Sequence, residues 1–177
     1  MTIERVPYER CLHRCTQLLC ALPWLIGVLI AGSYLTERYT IGIDDQKVLC
    51  LAGDHRWYLI DHWDRSFKAH DLMAFASDPR MQPFFPADIT FVKVVQGLPG
   101  QFIDQQNDTI RVDQQPVGSG FPLLDHAGVQ NAIHGEAFRL QPNTYWVMGD
   151  QPKSFDSRYW GVVYPQQIIG KAYALPI

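Results

Sequence analysis

A cationic surplus is what this chain most plainly lacks. Its 15 lysines and arginines are outnumbered by 18 carboxylates, and the net charge is -3. Nucleic acid is excluded as a partner on that balance, because holding phosphates needs an excess of Lys and Arg. No Walker or dinucleotide glycine pattern is present, so nucleotide chemistry has no support. The six histidines show no metal-ligand spacing: His55, His62 and His70 are scattered, and His126 and His134 fall in an expected loop. Solvated or hydrogen-bonded imidazoles account for them, and neither a metal nor another cofactor is expected. There is no internal repeat and no low-complexity tract. With 19% charged and 47% hydrophobic residues, disorder and coiled coil are ruled out as well.

What the chain does have is one long apolar run. Residues 18–35 read LLCALPWLIGVLIAGSYL without a charge, close to the roughly 20 residues a helix needs to cross a bilayer. Pro23 and two glycines are tolerated in such helices. Arg5, Arg10 and Arg14 precede the run, which by the positive-inside rule keeps the N-terminus cytoplasmic. The expected organisation is a cytoplasmic segment over 1–17, a single transmembrane helix over 18–35, and an outer, periplasmic domain over 36–177, anchored in the bacterial inner membrane. A cleaved signal peptide is the rival reading, since Ala31-Gly32-Ser33 would serve as a cleavage site, but the run exceeds the usual apolar core of about 7–15 residues.

Four cysteines are present. Cys11, Cys15 and Cys20 fall before or within the span at no redox or zinc spacing and read as small apolar residues. Cys50 would stand alone on the oxidising side. It is either a buried inert residue in Val48-Leu49-Cys50-Leu51, a reactive thiol, or one end of an intermolecular bridge.

Beyond residue 39 the pattern is short alternating runs broken by turns. Strands are expected at 47–51, 56–60, 72–76, 89–95, 109–112, 137–140, 145–148, 161–164 and 169–175, with a long loop over 118–135. The fold class is therefore mainly β, one antiparallel domain on the anchor. In the run from Ile89 to Val95, Lys93 shares a strand face with Ile89, Phe91 and Val95. Such a lysine either snorkels to solvent or is held dry, where the neutral amine of a general base is favoured. Further on, Tyr145-Trp146-Val147-Met148-Gly149-Asp150 ends in a polar turn followed by Ser154, Asp156 and Arg158. In extended chain the last two would share a side and make a weak surface ion pair.

These stretches resemble a known family. Phe91-Val92-Lys93-Val94-Val95-Gln96-Gly97-Leu98-Pro99-Gly100 resembles the lysine box of type I signal peptidases. Tyr145 to Gly161, with its Ser-Phe-Asp-Ser-Arg-Tyr-Trp-Gly ending, resembles their C-terminal signature. Asp71-Leu72-Met73-Ala74-Phe75 and Gly170-Lys171-Ala172 look like flanking strands of the same domain. The Pro152 to Arg158 wording is closest to the TraF-type peptidases of conjugative transfer systems.

The resemblance implies a signal-peptidase-like catalytic domain and a serine/lysine dyad. Lys93 would be the general base, Ser154 the hydroxyl orienting its amine, and Asp156 and Arg158 supports of the site. The chain departs from the pattern at the nucleophile. No serine lies between Ser33 and Ser66, and the matching place is occupied by Cys50, followed by Leu51 and Ala52. A thiol activated by a lysine can replace the hydroxyl. Val48 stands where relatives often carry an oxyanion-binding hydroxyl, and Gln101 where an Asp commonly follows Pro-Gly. A Cys50–His pair using His55 or His62 is a weaker arrangement, given the lysine box. The function implied is maturation of an exported precursor, a propilin for conjugation, with the lipid bilayer and other proteins of the conjugation apparatus as partners. The alternatives are an inactive relative serving as an assembly or scaffold subunit, and a protein that uses Cys50 for an intermolecular disulfide.

Overall fold

The computed structural model describes residues 8–46, 49–53, 55–82, 84–86, 88–124, 132 and 136–176, with side chains described from residue 19 onward. Two compact units divide at Arg38 and Tyr39. The first contains helix α1 (Tyr8–Arg38), which includes Pro23. Its stretch Leu19–Arg38 has a mean hydropathy of 1.8 and is wholly unburied. At about 1.5 Å per residue, such a stretch matches the roughly 30 Å of a bilayer core. It is the one helix among the described residues long and apolar enough to cross a membrane. Two of its hydroxyls turn inward on their own backbone: Ser33 donates to the Ile30 carbonyl at 2.9 Å, and Thr36 to the Gly32 carbonyl at 3.1 Å. Such back-bonding spares an apolar solvent an unpaired donor.

The second unit is antiparallel β, as the alternation predicts. Its strands are β1 (Tyr39–Ile43), β2 (Trp57–Asp61), β3 (Leu72–Ala76), β4 (Thr90–Gly97), β5 (Phe102–Gln106), β6 (Thr109–Val112), β7 (Gln115–Ser119), β8 (Phe138–Arg139), β9 (Trp146–Met148) and β10 (Ile168–Leu175). They form a six-stranded sheet in the order β1-β2-β10-β3-β4-β9 and a four-stranded sheet in the order β7-β6-β5-β8. A short helix, α2 (Ser157–Trp160), follows β9.

The pleat sorts β4 as its sequence requires. Phe91 and Val95 enter the main apolar cluster with Met73, Phe75 and Val147, while Val94 turns to a second cluster with Leu51 and Tyr58. Lys93 pairs with Met73 across the β3–β4 ladder and so belongs to the main-cluster face.

Some expected elements differ. Cys50 and Leu51 lie in bends, and positions 47 and 48 lie outside the described residues, so no strand over 47–51 is found. At 161–164 only an isolated bridge joins Val163 to Tyr145, because α2 and the positive φ of 90° at Gly161 turn the chain away. Strands β1, β5 and β7 were not foreseen. Their half-exposed faces carry Gly42, Asp104, Gln105 and Pro116, which mask the period of two. The expected loop over 118–135 begins only at Gly120, since β7 runs to Ser119, and most of it, with His126 and His134, lies outside the described residues.

Candidate active site

The site is built on β4 and the chain that leaves β9. Antiparallel pairing sets Val94 opposite Met148, so the next residue along, Gly149, passes beside Lys93, and the turn after it returns Ser154 to the same place. Lys93 is 3% exposed and Ser154 fully buried. The Lys93 Nζ donates to Ser154 Oγ at 2.9 Å. The choice between a snorkelling and a buried lysine is thereby decided for burial, and among the described residues no carboxylate forms an ion pair with this amine. The amine's partner in the site is therefore a hydroxyl.

Gly149 makes this approach feasible. A Cβ there would lie 2.2 Å from Ser154 Oγ and 2.7 Å from the Cys50 carbonyl oxygen. The neighbouring turn also grips the Cys50 segment. Gln151 N–H donates to the Cys50 carbonyl at 3.2 Å, and Ala52 N–H to the Asp150 carboxylate at 2.7 Å. One turn therefore holds the hydroxyl on the lysine and the backbone around the cysteine. Sequence reasoning treated Gly149-Asp150 as a turn, and no spacing signal ties either residue to Cys50.

Cys50 is a half-buried free thiol. It lines two cavities with Lys93, one of about 210 Å³ bordered by Asp44, Tyr58 and Thr90. The other, of about 320 Å³, is walled by Leu49, Phe85, Phe91 and Phe155 and reaches Ser154. The Cys50 S–H donates to Gln46 Oε1 at 3.6 Å, a contact the sequence did not suggest. Tyr58 is raised above the usual phenol range by burial first, and then by the charges of Asp44, Cys50 and Asp150. Neither histidine near Cys50 in sequence has a ring hydrogen bond to its sulfur among the described residues. The His55 carbonyl accepts from the Tyr58 hydroxyl at 3.0 Å, and the His62 Nε2 meets Thr40 Oγ1 at 2.8 Å.

The Asp156–Arg158 pair is not the weak surface pair expected of a bare turn. Both side chains are almost completely buried, at 0% and 2% exposure, with Arg158 Nε 2.8 Å from Asp156 Oδ1. Nη2 adds a second bond to Oδ2 at 2.9 Å. Asp156 caps α2 in extended backbone and also accepts Gly149 N–H at 3.0 Å. Arg158 spends its remaining donors on the carbonyls of Gly120, Pro152 and Ser154. Every charge is thus met by hydrogen bonds, which is the condition for burying an ion pair. Burial works against the Arg158 charge, but the Asp156 carboxylate more than offsets it and holds the guanidinium above its usual range.

Gln101 keeps the turn after Pro99-Gly100 closed. Its Oε1 accepts Leu98 N–H at 2.7 Å, and its amide donates to Asp113 at 2.9 Å. Val48 lies outside the described residues, and among those described no group of three or more His, Cys, Asp or Glu could hold a metal.

Comparison with known proteins gives this geometry a setting. The model of the family "Signal peptidase, peptidase S26" matches residues 15–175. A "Probable signal peptidase I-2" of Synechocystis sp. is 31% identical over 86 residues, 47% of this chain and 36% of that protein. The chain thus aligns with little more than a third of that curated relative's length. A crystal structure of a signal peptidase I from Enterococcus faecalis V583 overlays with a TM-score of 0.40 at 21% identity, covering 61% of this chain and 97% of that one. With a family model spanning nearly its whole length, the chain belongs to the signal peptidase family, peptidase S26.

Proposed function

We propose that this protein is a membrane-anchored endopeptidase that cleaves exported precursors with Cys50 as nucleophile and Lys93 as general base. The observation that carries the reading is the buried Lys93 amine, held by Ser154 and opening on the same cavities as Cys50. A lysine placed there can take the thiol proton as sulfur attacks and return it to the leaving amine. The β4 edge supports a docking mode. β9 pairs only with Val94 to Gly97, whereas β3 pairs with Thr90 to Val94. The segment from Thr90 to Lys93 therefore offers an edge on which a peptide can lie as an added strand.

The narrower assignment is a propilin of a conjugation apparatus. It is supported by the wording of Pro152 to Arg158. The anchor is α1, in the inner membrane, with the β domain on the periplasmic side. Co-expression with candidate propilins, followed by mass measurement of the product, tests the whole reading. Wild type yields a trimmed product and Cys50→Ala the intact precursor. Trimming by Cys50→Ala removes the nucleophile, and an intact precursor with wild type as well favours the scaffold role that the missing serine suggests.

A further inference from the structure

A thiol attack on a peptide carbonyl puts a full negative charge on oxygen, and a neutral amide side chain stands beside the Cys50 sulfur. Gln46 is the side chain in contact with the Cys50 sulfur, at 3.6 Å, and it lines both cavities on which Cys50 and Lys93 open. Its neighbours on the smaller cavity, Asp44 and Asp45, are acids that repel an oxyanion. The backbone on either side of Gln46 is tied in place. Gln46 N–H donates to Asp44 Oδ1 at 3.0 Å, and the Arg56 guanidinium donates to the carbonyls of Asp44 and Gln46 at 3.2 and 3.1 Å. The side chain thus projects from an anchored loop, and a half-turn of its terminal amide exchanges Oε1 for Nε2 at the same point.

We propose that Gln46 is a catalytic residue whose amide Nε2–H binds the oxyanion formed when Cys50 attacks the scissile carbonyl. The assignment rests on the proposed role of Cys50 as nucleophile. In the first step the S–H proton passes to Lys93, the C–S bond forms, and the carbonyl π pair moves to oxygen, where Gln46 donates to it. In the second step that pair restores the C=O bond, the C–N bond breaks, and the leaving amine takes the proton from Lys93. A thioester remains for water to hydrolyse. Once the thiol proton has left, Oε1 has nothing to accept from the sulfur, so the amide is free to turn its donor inward.

Two reagents separate this role from a structural one. Acylation of Cys50 by p-nitrophenyl acetate passes through an oxyanion, whereas alkylation by iodoacetamide displaces iodide and forms none. In the full-length protein in detergent, Gln46→Met keeps the side-chain length and removes the donor. The expected result is a Cys50-dependent acylation burst slowed by about 10²-fold, the usual scale for one lost oxyanion donor, a fall well beyond any change in the alkylation rate that loss of the thiol contact brings. Equal acylation rates in wild type and Gln46→Met overturn the assignment while leaving Cys50 in place. A parallel fall of both rates also overturns it, because the residue then acts on the thiol and not on the oxyanion. A wild type whose burst persists in Cys50→Ala overturns the nucleophile itself, and the Gln46 role with it.

Discussion

At the scale of single residues, the Lys93–Ser154 contact separates charge from shape. Lys93→Met preserves the stem that packs on the β4 face and deletes the amine. The domain should stay folded by circular dichroism, while precursor processing falls to background. Lys93→Arg should fail equally, since a guanidinium keeps its proton and cannot act as a base. Processing at the wild-type rate by either variant would remove the general-base role. Gly149 makes a sharper test, because its constraint is contact and not backbone conformation. A single methyl there meets Ser154 and the Cys50 carbonyl inside van der Waals distance. Gly149→Ala should therefore displace the hydroxyl from Lys93 and lower kcat by at least tenfold, an effect in keeping with misplacing reacting groups by a fraction of an ångström to an ångström. An unchanged kcat would show that the turn relaxes freely.

At the scale of elements, two ion pairs hold the site in different ways. Asp156–Arg158 ties β9, α2 and the segment at Gly120 together from within the core. Arg158→Met leaves the carboxylate buried and unpaired, and should cost about 3–5 kcal/mol, read as a lowered denaturation midpoint. Asp71–Lys171, at 2.7 Å, fastens the start of β3 to β10 nearer the surface. Burial pulls Asp71 upward, but the hydrogen bonds from Lys171 and the Lys68 amide hold it below its usual 3.8. Lys171 is held above its usual 10.5, chiefly by its hydrogen bond to Asp71. A carboxyl more acidic in the fold stabilises above its unfolded value, and that contribution is lost as pH falls through the lowered one. A raised amine stabilises below its unfolded value and loses the contribution as pH rises through the raised one. Asp71→Asn should therefore lower stability at pH 7 and cost less at pH 2, since the wild-type contribution is lost as pH falls through the lowered value. Equal losses at both pH values would show a role other than ion pairing.

These elements also show what the sequence could disclose. β3, β4 and β6 were legible as short apolar-rich runs bounded by turn residues, and Lys93 stood out as a charge set among apolar residues on its strand. The burial of Asp156 and Arg158 was not, because it depends on carbonyls at positions 120, 152 and 154 that only the tertiary fold assembles. Gln46 escaped for the same reason: nothing in its spacing to Cys50 distinguishes a loop amide from an active-site one.

At the scale of the whole molecule, the proposed chemistry requires the β domain to face the compartment that receives exported precursors. The charges around α1 favour that orientation. Arg5, Arg10 and Arg14 precede the apolar stretch, whereas a single arginine, Arg38, closes it. By the positive-inside rule the excess of arginines is expected to keep the N-terminal side in the cytoplasm. Alkaline phosphatase fused after Ile177 should accordingly be active, and a fluorescent protein that folds only in the cytoplasm should be dark at the same position. Replacing Arg5, Arg10 and Arg14 together with glutamine should weaken this bias and divide the population between the two orientations, with phosphatase activity and precursor processing falling in proportion. If phosphatase is inactive in the wild-type fusion, the domain lies on the cytoplasmic side. If activity is retained in the triple variant, the orientation is set by the folded domain and not by the arginines.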